Sequence, residues 1–313
     1  MASVRTPIEV ARQLAVTYGQ AYQPPLTYPL GVALSGRLRL ARLDGDLVRV
    51  TQEIVDLVEP WLDVSAAYDE RFGAPALATA CWADELYQVT KDPRYRDHLL
   101  ATADRFQPDP DIRVEDFFFG GTLLGRAYAS TGDDGYQQRL VEFLAAVDTQ
   151  TSDGLFWHCH ASPFFWGRGN AFAAMGFAEA LSYVEDRGPL LDLHLRHCRA
   201  LLSHQDESGM WHQVIDDDST YLEHSATTMI GYAFARGVQR GWLPAVEFGA
   251  ALDRVWLGIE QRTSESGELE HVCVGTGPLS SLEAYVTREH TDTTDERGGA
   301  MALWFAAELA SVQ

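Results

Sequence analysis

The sequence predicts an all-α fold, an (α/α)6 toroid of helical hairpins with short β or loop insertions at one end. Three observations point there. A unit of small residues, an apolar helix of period 3.6, a polar break and a second helix recurs six times. The first helix of each pair is rich in Ala, Gly and Leu on nearly every face, which suits a crowded inner position; the second carries more Arg, Glu and Asp, which suits an outer one. The sixth copy ends almost at the C-terminus without a polar capping helix, which favours a closed ring over an open α-solenoid.

The copies begin GVALSGRLRLAR at Gly31, GAPALATACWADELYQ at Gly73 and GGTLLGRAYAST at Gly120. They continue with RGNAFAAMGFAEAL at Arg168, SATTMIGYAFARGV at Ser225 and GGAMALWFAAELA at Gly298. In the first three the break reads LDGDLV, TKDPRY and TGDDGY, where Asp and Gly supply N-caps and turn geometry. No Gly/Ser- or Pro-rich linker divides the chain, so one domain over residues 1–313 is expected. Two β-favouring pieces, SGMWHQVID and LEHVCVGTG, are expected as loops or hairpins at the barrel end where inner helices start. Polar and aromatic residues gather just before those starts: Asp116, Trp166 with Arg168, Trp211 with Gln213, Glu223 with His224, and Asp295. In a toroid these points line one funnel mouth, and helix N-termini facing it favour a bound anion.

Composition narrows the function classes. With 24 basic against 45 acidic residues the net charge is −21, which argues against a nucleic-acid backbone or an anionic membrane as partner. Lys91 is the sole lysine, so a few local arginines must hold any anionic ligand. No run of 18 or more apolar residues spans a membrane, and the N-terminus lacks the apolar core of a secretory leader, so a cytoplasmic location is expected. Cys81, Cys159, Cys198 and Cys273 form no CxxC pair and are expected reduced and buried.

A funnel lined by aromatic rings, Arg, amides and carboxylates suits a carbohydrate: ring faces stack on sugar C–H surfaces while the polar groups read hydroxyls and carboxylates. The substrate-binding set expected there is Tyr28, Trp166, Arg168, Asn170, Trp211, His212, Gln213 and His224. Asp116, ahead of three phenylalanines in VEDFFFGG, is either a plain N-cap or a carboxyl whose aromatic surroundings raise its pKa and make it a proton donor. Arg168 is either a salt-bridge partner or a reader of a substrate carboxylate. His158 and His160 of HCH share one face of an extended segment, which suits hydrogen bonding or proton shuttling better than zinc, since no third ligand lies at a fixed spacing. No Gly-rich phosphate loop, GxSxG or HExxH occurs, and neither cofactor nor metal is expected. The expected partner is a small carbohydrate, with a homodimer as the candidate assembly.

Three blocks in order, SPFFWGRGNAF, GMWHQVIDDDSTYLEHSATTMIGYAFARGVQRGWL and DERGGAMALWFAAEL, resemble glycoside hydrolase families 88 and 105, the unsaturated glucuronyl and rhamnogalacturonyl hydrolases. The forms SPxFWGRGN and WxQV(I/L)D lean toward family 105. The resemblance implies an (α/α)6 barrel that takes a sugar with a C4=C5 double bond. An aspartic acid protonates C4, water adds at C5, and the hemiketal collapses to release the aglycone, without a cofactor. It places Asp116 at the sugar as the aspartate opening the third inner helix, and matches His158 to the histidine of GLxxH, here GLFWH. Trp166, Arg168 and Asn170 fall in WxRGN, and Trp211 and Gln213 in WxQV. One departure stands out: the family's principal acid/base aspartate lies between GLxxH and SPxFW, where this chain has only CHA. Three readings follow: Asp116 acts with help from His158 or His160; a different sugar-active enzyme, a lyase or epimerase, uses His158, His160, His212 and His224; or the barrel binds a uronide without turning it over.

Overall fold

The computed structural model describes residues 4–63, 68–185 and 187–311. Its inner ring consists of α2 (Tyr28–Asp44), a broken second unit, α6 (Val114–Thr131), α8 (Gly167–Tyr183), α10 (His224–Gln239) and α12 (Glu296–Ala310). The second unit runs from a short helix, Ala74–Leu77, through a 3-10 turn, Ala78–Trp82, into α4 (Ala83–Thr90). Each inner element packs on the next, and α12 packs back on α2 and closes the ring. The fold is the (α/α)6 barrel that the six copies predict.

The outer ring is α3 (Leu47–Val58), α5 (Pro93–Arg105), α7 (Asp134–Ala145), α9 (Gly188–Ser203) and α11 (Ala245–Gln261), together with α1 (Pro7–Thr17). The N-terminal α1 packs against α12 and stands as the outer partner of the sixth copy. Its start is fixed locally: the Thr6 backbone N–H and hydroxyl both donate to Glu9 Oε2, at 2.8 and 2.7 Å, and Pro7 opens the helix. The predicted turns also form. Gly45 and Gly132 end α2 and α6 in the left-handed region, and the Asp92 and Asp133 carboxylates cap the N-termini that follow them. Asp46, by contrast, makes no side-chain cap and binds Arg49 instead.

The inner helices are buried round nearly their whole circumference; every residue of α8 from Gly167 to Leu181 is buried. Glycine makes this crowding feasible at two contacts. A Cβ on Gly176 of α8 would lie 2.4 Å from the Phe117 carbonyl carbon of α6, and one on Gly31 of α2 would lie 2.0 Å from the Thr79 carbonyl oxygen. The second inner unit breaks into a 3-10 turn where Thr79 meets Gly31.

The two ends of the barrel differ. Where the inner helices finish, buried Arg126 binds Asp84 at 2.6 Å, Glu85 at 3.2 Å and Glu179 at 2.9 Å, while Tyr232 Oη donates to Glu179 at 2.7 Å. Arg39 adds a contact to Glu85 at 3.0 Å, so this end is closed by a paired charge network. Where the inner helices start, loops replace side-chain packing. SGMWHQVID and LEHVCVGTG lie there: Trp166 bridges Val214, His212 bridges Leu222, and Val272–Cys273 pairs antiparallel with His290–Thr291. No described helix is long and apolar enough to cross a membrane.

Candidate active site

A pocket of about 820 Å³ opens among these helix starts. Tyr28 comes from the first residue of α2, Glu115 and Asp116 from the first turn of α6, and Trp166 and Arg168 from the start of α8. Asp295, Glu296 and Arg297 come from the start of α12, and Phe119 and Phe172 form part of the apolar wall. Tyr28 packs on Phe119 and Phe172 with ring centres 5.5 and 5.4 Å away, and burial pushes its hydroxyl up to about 12.

Asp116 is 4% exposed. Its Oδ2 accepts the backbone N–H of Asp109 at 3.0 Å and of Arg113 at 3.3 Å. Burial, helped by the neighbouring Glu115 carboxylate, works against those N–H donors and lifts the carboxyl from 3.8 to about 6. It is therefore both a helix-start acceptor and a carboxyl adjusted toward proton donation. Glu296 is also raised, first by burial and then by Asp295.

Arg168 lies in the pocket wall, but its fork is already engaged. Nη1 donates to Cys273 O at 2.5 Å and to Ser225 Oγ at 3.3 Å, and Nη2 donates to Val274 O at 2.7 Å. The LEHVCVGTG loop thus anchors this guanidinium, which lies 5.1 Å from the Trp166 ring centre. Neither expected salt-bridge nor free reader describes Arg168 alone: it is a fixed positive charge behind the sugar-sized space. Trp166, stacked on His158 at 4.8 Å and only 1% exposed, is a wall element more than an open platform, and its Nε1 is buried without a partner. Arg297 donates from Nη2 to Asp295, while its buried Nε has no partner, which leaves a cationic donor at the pocket.

Tyr28, Asp116, Trp166 and Arg168 therefore meet at one pocket, and the other expected site residues do not line it. His158 sits behind the wall, between Tyr285 Oη at 2.6 Å and Glu115 Oε1 at 3.1 Å. His160 is exposed and pairs with Asp148 at 2.7 Å, because the tight turn at Cys159–Ala161 directs it outward. Asn170 closes a backbone pair: its Oδ1 accepts Phe156 N–H at 2.9 Å and its Nδ2 donates to Phe156 O at 3.0 Å. Trp211 is core, with Nε1 donating to Leu201 O at 2.7 Å, and His212 Nδ1 donates to Thr220 O. Gln213 and His224 are fully buried with no side-chain partners, and burial lowers His224 to about 3. Asn170 and His224 at the starts of α8 and α10, and Trp211 and Gln213 in the loop between them, point into the packing between helices. Half-buried His212 turns back on its own loop. Residue type and spacing do not reveal these directions.

The CHA interval is a reverse turn held from outside. Cys159 bridges Ser162, and the N–H groups of His160 and Ala161 donate to the two Asp111 oxygens at 2.9 Å each. The expected shared face of HCH does not form: across this turn His158 points inward and is buried, while His160 points outward and is exposed. Among the described residues a different group, His271, His290 and Asp292, brings potential ligand atoms within 4.8 Å of one another, on the surface beside the two-stranded pair. Sequence reasoning missed Glu115 and Arg297. Their signal was available: both fall in the first turn of an inner helix, adjacent to residues already singled out.

The family model Glycosyl Hydrolase Family 88 matches residues 159–313. Unsaturated rhamnogalacturonyl hydrolase YesR of Bacillus subtilis is 34% identical over 247 residues, covering 71% of this chain and 67% of that protein. An unsaturated 3S-rhamnoglycuronyl hydrolase of Alteromonas sp. is 28% identical over 163 residues, 46% of this chain and 40% of that protein. A family 105 glycoside hydrolase from C. acetobutylicum superposes with a TM-score of 0.86 at 18% identity, over 98% of this chain and 100% of the other, a likeness of fold. With the same barrel and this identity to the Bacillus hydrolase, the chain belongs to the glycoside hydrolases of the family 88/105 group.

Proposed function

We propose that the protein hydrolyses an unsaturated uronic-acid glycoside, with Asp116 as the proton donor. The observation that carries this is Asp116 itself, in the wall of the pocket with its carboxyl raised to about 6 by burial. Its neutral form delivers a proton to C4 of the C4=C5 vinyl ether while water adds its oxygen to C5. The C5 hemiketal then opens to a ketone, and the C1 hemiacetal so formed expels the aglycone as an alcohol. The Arg168 charge, the free Arg297 Nε and the starts of α6, α8 and α12 offer the substrate carboxylate a positive setting inside an acidic protein. The names of the Bacillus and Alteromonas relatives support the substrate class.

A lyase or epimerase working through histidines has less support. His160, His212 and His224 stand outside the pocket wall and His158 behind it, whereas the titratable side chains in the wall include Glu115, Asp116, Asp295 and Glu296. The test is an unsaturated uronide disaccharide followed by loss of its double-bond ultraviolet absorbance, with products identified by NMR. Asp116→Asn is expected to lower turnover about a hundredfold or more. An Asp116→Asn protein that turns over at the wild-type rate, or a product that keeps its glycosidic bond, overturns the proposal.

A further inference from the structure

The pocket holds a second carboxylate whose surroundings are not explained by folding. Glu115 lines the wall beside Asp116, and its side chain is 13% exposed. Its Oε1 faces His158 Nε2 at 3.1 Å, whereas its Oε2 is buried without any partner. An acid in the first turn of a helix gains from the helix dipole at the surface, with no need to bury an unpaired oxygen. Leaving a buried carboxyl oxygen unpaired is expensive, so the arrangement is best satisfied by a group that arrives with the substrate.

The hydrogen-bond chain behind Glu115 has a definite direction. The Leu279 N–H donates to Tyr285 Oη at 3.0 Å, and that hydroxyl lies 2.6 Å from His158 Nδ1. A carboxylate oxygen can only accept, so His158 Nε2 donates to Glu115 Oε1, and the singly protonated ring leaves Nδ1 to accept from the Tyr285 hydroxyl. The histidine is fixed at its backbone as well: its N–H donates to Phe164 O at 3.0 Å, and its carbonyl accepts Val114 N–H at 3.1 Å at the start of α6. The short CHA turn, held by Asp111, is what ties residue 158 to residue 164. The chain that lacks an acid in that interval thus uses the interval to seat a histidine against a different acid.

We infer that Glu115 is the second catalytic carboxyl of this pocket, the base that takes the proton of the attacking water, with His158 and Tyr285 as its positioning residues. This rests on the hydrolase reading with Asp116 as donor. In the hydration step the Asp116 O–H bond breaks and its proton bonds to C4 with the π-electron pair. The water oxygen bonds to C5, and the water proton passes to Glu115 Oε2. Asp116 leaves the step as a carboxylate and Glu115 as a carboxylic acid, so charge and atoms balance.

The experiment compares purified full-length variants on the unsaturated disaccharide, with circular dichroism as the check on folding. Glu115→Ala is expected to lower kcat about a hundredfold with little change in KM, and added formate, which replaces the missing carboxylate, is expected to restore at least about a tenth of it. Tyr285→Phe removes the donor to His158 Nδ1 and is expected to lower kcat about threefold to tenfold at unchanged KM. A folded Glu115→Ala with wild-type kcat, or one that formate does not rescue, overturns the inference. If Asp116→Asn is inactive while Glu115→Ala is fully active, only the role of Glu115 falls. If Asp116→Asn retains wild-type activity, the hydrolase reading falls, and this inference falls with it.

Discussion

Asp116 sets two measurable pH dependences. As a proton donor it must be neutral, so kcat/KM is expected to fall tenfold per pH unit on an alkaline limb beginning near pH 6, read from a pH–rate profile. A limb that Asp116→Glu does not shift would assign it to another group. Stability runs in a linked way. The folded value, about 6, lies above the ordinary 3.8, so the contribution of the neutral carboxyl is complete below about pH 4 and lost as pH rises through 6. Asp116→Asn, which cannot ionise, is therefore expected to be more stable than wild type at pH 8 by up to about 3 kcal/mol, the gap closing near pH 4; urea titrations at both pH values check it. The residue's type and place were readable from VEDFFFGG. Its proton affinity was not, because the same carboxyl accepts two backbone N–H groups that pull the other way, and only burial decides the sum.

At the scale of elements, the site depends on how closely α6 and α8 approach. A methyl on Gly176 would meet the Phe117 carbonyl carbon at 2.4 Å and the Phe118 nitrogen at 2.5 Å, backbone atoms immediately after Asp116. Gly176→Ala is expected to cost about 3 kcal/mol in chemical denaturation and to lower kcat, because α6 must shift with its two carboxyls. An unchanged denaturation midpoint would mean that the helices separate freely there. Inner and outer helices were legible from composition because crowding selects Ala and Gly directly. Two features were not. The N-terminal α1 completes the sixth pair from the far end of the sequence, and Trp211 and Gln213 sit in a loop ahead of a helix start yet turn into the packing layer. A periodic pattern says which face of a helix is apolar, whereas a loop residue has no period to indicate its direction.

Over the whole molecule, the barrel carries several histidines that burial holds neutral. His224 falls to about 3 and His194 to about 4, with His98 and His197 lowered as well, burial being the first cause in each. A histidine depressed in the folded state contributes stability that is complete above about 6.5 and lost as pH falls, because the unfolded chain takes up the proton first. Tm is expected to drop between pH 7 and pH 5. His224→Leu, at a position with no hydrogen-bond partner to strand, is expected to recover about 2 kcal/mol at pH 5 relative to its effect at pH 8. Equal effects of His224→Leu at both pH values, measured by thermal unfolding, would remove His224 from this account. The sequence by itself determined the ring of six hairpins and the inner-helix starts at which Asp116, Trp166 and Arg168 stand, since helix period, turn residues and crowding are properties of neighbouring residues. Only the tertiary structure decided that Arg168 is tied to a loop more than a hundred residues away, that His158 backs Glu115, and that Asp111 clamps the shortened turn. Those pairings join distant segments, and their energies come from burial and direction, which exist only once the ring has closed.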